Sequence, residues 1–161
     1  MSTLRVNEIS ARTGTGNVQM TGGQLIAPGI TVGSVYLADS TNINTTSSTF
    51  VDAYTMSYTK KLANSALFGF FDINTLREGS QEQNWIITVN DVQVSEVRNK
   101  NSSTTGWDTR NMGFHWTAAS GGAAGVYTIK LRFRVVGNGY YNYPTAYGNG
   151  VSHYIVMEIA Q

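Results

Sequence analysis

The stretch from Gly125 to Gly137 alternates apolar and polar side chains and carries a glycine at each end. Successive side chains of a β-strand point to opposite faces of its sheet, whereas a helix would spread the same residues around its axis. The pattern therefore predicts a strand with one face in a core and the other face in water or at a partner. The predicted inward residues are Tyr127, Ile129, Leu131, Phe133 and Val135.

The outward face of this strand carries Arg132 and Arg134. Solvation of both guanidinium groups is the simpler interpretation. Pairing with acidic residues of a neighbouring subunit is the alternative, and the sequence leaves both open.

Short apolar or alternating runs, separated by glycine-rich or polar turns, continue along the chain, and no segment has the period of a helix. This spacing predicts an all-β fold, an antiparallel β-sandwich or jelly roll of about eight strands. Gly69 lies inside one run, where a glycine often marks a bulge or a close contact. Asn90-Asp91 is a predicted turn between two strands. The predicted strands are 35–38, 49–59, 62–73, two within 85–97, 111–118, 125–137 and 151–160; the polar segments 40–48, 74–84, 98–108 and 137–150 are predicted links and loops.

The composition excludes several classes of function. Charged residues make up 13% of the chain, about half the usual share of roughly 25%, and the net charge is +1. Bulk electrostatics therefore favours neither a nucleic acid nor an acidic membrane as a partner. The chain has no cysteine and only two histidines, which excludes disulfides and a His-rich metal site. We expect no cofactor and no metal.

No signal-peptide-like apolar run opens the sequence, and no window approaches the eighteen or so apolar residues of a membrane helix. We therefore expect synthesis in a cytoplasm and no membrane insertion.

Residues 1–33 differ from the rest of the chain, because they are rich in glycine and their apolar pieces are short. A lone short strand or hairpin is marginal in water, so this arm must pack on the domain, on sister copies or on another protein. The alternative is a flexible tail. We therefore divide the chain into an N-terminal anchoring or intertwining arm, 1–33, and a β-sandwich head, 34–161. The predicted anchoring residues are Leu4, Val6, Ile9, Val18, Met20, Leu25 and Ile26.

No arrangement of residues predicts catalysis. Ser152 and His153 are neighbours on a predicted strand, so they point to opposite faces and do not form a nucleophile–base pair. No nucleophile motif accompanies His115. Glu78 and Glu82 share a predicted loop, but a lone carboxylate pair is too weak a signal for a glycosidase. We expect no catalytic residue and no enzymatic activity.

A tyrosine cluster in the glycine-bounded segment 137–150 is the one candidate for recognition. Tyrosine offers a flat apolar ring and a hydroxyl group at low entropic cost, which suits contacts with sugars or protein surfaces. The alternative is that these rings pack over one end of the sandwich or against a sister subunit. The candidate surface residues are Tyr140, Tyr141, Tyr143 and Tyr147, with Trp107 from the preceding polar loop.

Both ends of the sequence resemble one family. The start has the pattern L-x-V-x-x-I, a short polar spacer, G-x-G and an apolar pair, carried here by TLRVNEISARTGTGNVQM. Together with TTSSTFVDAYTMSYT as a first sandwich strand and YIVMEIAQ as a closing strand, it resembles bacteriophage tail-fibre and virion-appendage proteins, especially those of marine and cyanobacterial phages. The resemblance covers the chain loosely from end to end.

The resemblance implies a virion protein whose terminal β-sandwich assembles as a homotrimer and whose N-terminal part mounts it on other virion proteins. It also implies a possible contact with a host-surface glycan. This chain lacks the extended shaft repeat of long fibres between arm and sandwich, which favours a short appendage, a fibre tip or a capsid decoration (cement) protein. The alternative from another class is a free carbohydrate-binding module.

Overall fold

The computed structural model describes residues 19–21, 24–26, 29–78, 82–100, 106–117, 122–145 and 148–161, and over these residues it contains strands and no helix. The strands are β1 (Gln19–Thr21), β2 (Gln24–Ile26), β3 (Thr31–Asp39), β4 (Ile43–Thr45), β5 (Val51–Lys60), β6 (Ala66–Glu78), β7 (Glu82–Val89), β8 (Val92–Lys100), β9 (Gly106–Trp116), β10 (Gly125–Val135), β11 (Asn138–Tyr141), β12 (Pro144–Thr145), β13 (Gly148–Asn149) and β14 (Ser152–Ile159).

Two sheets form the body of the molecule. One has four strands in the order β5-β10-β7-β8. The other has six: β14 and β11 lie along one edge of β6, β9 lies along its other edge, and β3 and β4 pair with β14 and β11. All of these pairs are antiparallel. The predicted all-β antiparallel sandwich is therefore confirmed.

The core lies between the two sheets, and β10 contributes its inward face as predicted. Ile129, Leu131 and Phe133 are fully buried, and they join a cluster that includes Phe71 and Tyr154 of the opposite sheet. Each fully buried side chain of this size stabilises the fold by about 1.5–3 kcal/mol. The alternation that predicted this strand is thus the pattern of a half-buried strand.

Four segments predicted as loops or links contain strands. Segments 74–84 and 98–108 hold the ends of β6 and β8 and the starts of β7 and β9. Segment 137–150 holds β11, β12 and β13, and segment 40–48 holds β4. The described residues of the range 31–161 therefore form twelve strands, where about eight were predicted.

The reason for these differences is that polar side chains are bonded inside the fold. Thr75 and Gln83 are buried, and the Thr75 hydroxyl lies 3.1 Å from Gln83 Oε1 and 2.7 Å from the backbone oxygen of Tyr140. A buried polar side chain is tolerated when it has such a partner. Polar composition alone therefore did not distinguish a loop from a strand whose polar groups are satisfied.

Two local predictions agree with the structure. Asn90 and Asp91 have φ angles of 47° and 63° between β7 and β8, as the two central residues of a type I′ hairpin turn require. Gly69 marks a close contact, because the Phe114 ring on the paired strand occupies the space where a side chain at Gly69 would begin.

The sandwich begins before the predicted boundary between residues 33 and 34. Thr31 pairs with Ile159, the Gly29 amide donates to the Ala160 carbonyl at 2.8 Å, and Val32 is buried. Residues 29–33 thus belong to the sandwich, because their backbone completes its edge. The arm itself stays a prediction for the preceding residues.

Of the predicted anchoring residues, Met20 and Leu25 are paired across the β1–β2 hairpin, and Ile26 is paired with Gln19. Leu4, Val6, Ile9 and Val18 lie outside the described residues.

Candidate recognition surfaces

The structure separates the predicted tyrosine cluster. Tyr141 is a correction: its ring is fully buried in the core, because it packs near Trp85 with ring centroids 6.3 Å apart. Tyr140 and Tyr143 are half-buried and meet edge to face at 4.6 Å. The backbone of Trp107 lies on β9, opposite Leu76. Tyr147 lies outside the described residues. Tyr140 and Tyr143 are therefore the members of the predicted surface whose side chains the structure describes as partly exposed, and Trp107 and Tyr147 stay predictions.

Tyr141 instead belongs to a buried hydrogen-bond network. Its hydroxyl donates to Asp39 Oδ2 at 2.6 Å and lies in hydrogen-bond contact with the Tyr154 hydroxyl. Desolvation by burial raises the pKa of both Tyr141 and Tyr154. Both phenols are therefore neutral at physiological pH, and they act as structural hydrogen-bonding groups.

Asn142 extends this network and fixes the segment after β11. It has a φ of 50°, is buried, and donates from Nδ2 to the Asp39 carbonyl at 2.8 Å. The Ser152 hydroxyl donates to Asn142 Oδ1 at 2.6 Å and accepts from the Asn74 amide at 2.9 Å. Ser152 therefore has a structural role, and it faces inward while His153 faces outward.

The outer face of the four-stranded sheet carries charged side chains, and these form ion pairs with each other within the chain. Arg132 Nε lies 2.7 Å from Asp52 Oδ1, and Lys130 Nζ lies 2.7 Å from Asp91 Oδ1. The hydrogen bond from Lys130 lowers the pKa of the Asp91 carboxyl. The guanidinium of Arg134 lies 5.0 Å from the centre of the Phe50 ring. The acidic partner of Arg132 is thus within the chain, because β5 places Asp52 opposite it.

The outer face of the six-stranded sheet has the opposite character. Its middle cross-strand row is Tyr36, Ile155, Phe70 and Gly113, on β3, β14, β6 and β9. Tyr36 is 61% exposed, Phe70 59% and Ile155 38%. Large apolar side chains side by side on a surface mark a contact site more often than isolated ones do.

A polar row flanks this apolar row. This row consists of the register partners His153, Asp72 and Asn111 on β14, β6 and β9. Each lies two positions along its strand from a residue of the apolar row, so both rows are on the same face of the sheet. These rows surround a concave surface pocket of about 380 Å³. We call the surface formed by Tyr36, Phe70, Ile155, Asp72, Asn111 and His153 the aromatic face.

The two histidines lie on this outer sheet surface in aromatic surroundings. The Tyr36 hydroxyl lies 2.5 Å from His153 Nδ1, and the two rings are stacked. His115 stacks on Phe68, with ring centroids 4.3 Å apart.

Sequence reasoning missed the aromatic face. The available signal was the run ALFGFFDI, in which apolar residues occupy both alternating faces of one predicted strand. Such a strand either lies in a sheet covered on both faces or exposes an apolar face. The second case applies here.

Within the described residues, no group of three or more His, Cys, Asp or Glu side chains is arranged to hold a metal ion. No helix in the described part of the chain has the length and apolarity to cross a bilayer.

No protein-family model and no curated protein matches this sequence. Solved structures do match. The VP2 subviral particle of infectious bursal disease virus aligns with 10% identity and a TM-score of 0.51, covering 89% of this chain and 37% of that chain. The structure of the Gx strain of that virus aligns with 10% identity and a TM-score of 0.50, covering 94% and 39%.

Dimeric latent PorU from Porphyromonas gingivalis aligns with 5% identity and a TM-score of 0.49, covering 83% of this chain and 13% of that chain. This chain thus spans less than two fifths of the length of each of these structures. The likeness to the two viral structures shows a shared β-sandwich fold.

Proposed function

We propose that this chain is a non-enzymatic structural protein of a bacteriophage virion. In this proposal it forms a homotrimeric appendage, with the segment before residue 29 as its mount and the sandwich, 29–161, as its projecting head. The sequence resemblance to virion-appendage proteins and the fold shared with viral-particle structures support it.

The observation that carries the proposal is the isolation of the β1–β2 hairpin. Its two strands have three residues each and pair with each other, and neither pairs with any other described strand. A two-stranded hairpin of this length is not stable alone in water. It therefore needs other chain segments to cover it, and in this proposal a sister copy or another virion protein supplies them.

The sandwich suits the role of a head because it buries a core of its own. Its two sheets share one apolar cluster, and its self-paired charged face leaves that surface soluble. A unit with its own core folds and projects without its mount.

Light scattering on the purified chain tests the trimer. The full chain is expected to have three times its 17.5 kDa chain mass, and a 29–161 version the mass of one chain. A single chain mass for the full protein across micromolar concentrations would contradict the trimer.

Membership of the virion and the absence of catalysis need separate tests. Mass spectrometry of gradient-purified particles is expected to find peptides of this chain, and their absence would contradict the virion role. Release of reducing ends from host polysaccharide by the purified chain would contradict the non-enzymatic role.

A capsid decoration protein is the second candidate, and one observation favours it. Only residues 27–30 separate β2 from β3. Four extended residues span at most about 14 Å, so the sandwich lies close to its mount. A protein clamped on a shell needs such a short link, and a long fibre does not.

A further inference from the structure

We propose that the aromatic face is a binding site for a neutral saccharide. In this site the rings of Tyr36 and Phe70 form an apolar platform, and Asp72, Asn111 and His153 bond to sugar hydroxyls. The inference goes beyond the proposed function, because it requires no virion and concerns residues outside the tyrosine cluster.

The platform is built by the register of the sheet. Tyr36 and Phe70 flank Ile155 on the adjacent strands, so their Cα positions are about 10 Å apart, or two inter-strand spacings. Gly113 continues this row beside Phe70, and a side chain starting there would lie 3.7 Å from the Phe70 ring. Two exposed rings at this separation match the length of a disaccharide, whose C–H faces pack on aromatic rings.

The polar row supplies the second half of saccharide recognition. Among the described residues, no side chain or backbone group bonds to the Asp72 carboxylate or to the Asn111 amide, which are register partners and exposed. A carboxylate accepts and an amide both donates and accepts, which suits neighbouring hydroxyl groups. His153 uses Nδ1 for Tyr36, which leaves Nε2 for the ligand.

The charge of the pocket selects among ligands. The described residues of its lining include one carboxylate, Asp72, and no lysine or arginine, so an anionic ligand is repelled. The two rings lie along a sheet and do not surround a point, unlike the aromatic cages that bind quaternary ammonium ions. A neutral polyhydroxyl ligand fits this combination best.

Size argues for a small ligand over a second copy of the chain. The pocket of about 380 Å³ lies at the lower end of the volumes of small-molecule sites, roughly 300–1,000 Å³. The six residues of the aromatic face cover about 200 Å² of sheet, while a stable protein interface buries about 800 Å² per partner. The face is therefore too small for a stable interface by itself.

An NMR titration of the ¹⁵N-labelled full chain tests the site. The probes are the disaccharides maltose, lactose, cellobiose and N,N′-diacetylchitobiose, each added to about 50 mM because a shallow saccharide site is expected to bind in the millimolar range. We expect saturable shifts for at least one sugar at the amides of residues 36, 70, 72, 111, 113 and 153.

Variants make the test specific. Phe70→Ala is expected to weaken binding about tenfold through the lost stacking, and the isosteric Asp72→Asn several-fold through the lost acceptor. Val126→Ala, which truncates an exposed apolar side chain of the other sheet, is the matched control and should leave binding unchanged. Tyr36→Ala replaces Phe70→Ala if the latter does not give a folded spectrum.

Several results would overturn the proposal. These are no shift with any of the four sugars, shifts confined to Tyr140 and Tyr143, and binding unaffected by both ring truncations. Shifts at the aromatic face that depend on protein concentration without sugar would assign it to a second copy, and shifts with choline alone would assign it to a cation. None of these results bears on membership of a virion, so the two proposals fail separately.

Discussion

At the scale of single residues, two strand glycines on β6 and β9 carry different constraints. A Cβ atom at Gly69 would overlap the Phe114 ring, whereas one at Gly113 would meet the Phe70 ring at an ordinary 3.7 Å. We predict that Gly69→Ala lowers the free energy of unfolding by about 1–3 kcal/mol through overpacking, and that Gly113→Ala changes it by less than about 0.5 kcal/mol. Urea unfolding of both variants measures this. If Gly69→Ala lowers the free energy of unfolding by no more than Gly113→Ala does, the Phe114 ring moves aside freely.

Tyr58 makes stability depend on alkaline pH. Burial, and then the charge of Glu158, raise the pKa of Tyr58 from 10.0 to about 12. A raised pKa in the folded state gives stability that is complete below pH 10 and is lost between pH 10 and about 12, because the unfolded chain releases the proton first. We predict a fall of about 1 kcal/mol from this residue between pH 9 and pH 11.

Chemical unfolding at the two pH values measures that fall, with Tyr58→Phe as the control. The variant should lose part of the pH dependence and keep the rest, since burial also raises the pKa of Tyr141 and Tyr154. An unchanged dependence in Tyr58→Phe would show that Tyr58 does not contribute.

At the scale of elements, the alternation of apolar and polar residues and the residue types of turns predicted those strands and turns that depend on local sequence alone. The strand β10 and the Asn90-Asp91 turn were found because side-chain period and positive φ are local properties. The strands in segments 74–84 and 137–150 were missed because their polar residues, such as Thr75 and Asn142, find partners only after distant strands pair. The aromatic face was missed for the same reason, since Tyr36, Phe70 and His153 come together through sheet register alone.

Glu158 shows how a polar residue ties a turn to a strand. It is buried on β14, and its carboxylate accepts from the backbone amides of Lys61 and Leu62 at 2.8 Å each and from the Ser65 hydroxyl at 2.5 Å. We predict that Glu158→Gln destabilises the protein by about 2–4 kcal/mol, because an amide NH₂ faces donors and hydrogen bonds to a charge are lost.

Thermal or urea unfolding checks this prediction. Glu96→Gln is the control, because Glu96 pairs with Arg98 at the surface and should cost less than about 1 kcal/mol. Similar losses in the two variants would contradict the role of Glu158 as the acceptor that holds the turn.

At the scale of the whole molecule, the position of the first sandwich strand predicts where the chain can be shortened. Deleting residues 1–28 should leave the sandwich folded, whereas deleting 1–33 also removes buried Val32 and the backbone pairs with Ile159 and Ala160. We predict that the longer deletion lowers the free energy of unfolding by at least about 2 kcal/mol relative to the shorter one. Equal stability of the two deletions would place residues 29–33 outside the fold.

The two outer faces of the sandwich differ in chemical character. The four-stranded sheet presents charged side chains that form ion pairs with each other. The six-stranded sheet presents exposed rings beside the Asp72 carboxylate, which has no bonding partner among the described residues. In the two proposals, the segment before residue 29 mounts the chain and the aromatic face binds the ligand, so the two roles use different residues.

Immunogold electron microscopy of the purified phage particles, with antibody raised against residues 29–161, shows whether this chain is part of a virion and where it lies. We expect gold at the tail, which would make the chain a fibre or tail appendage. Gold spread over the head would replace the appendage with a decoration protein and keep the virion role. Particles without gold, from a culture in which the antibody detects the protein, would contradict the virion role.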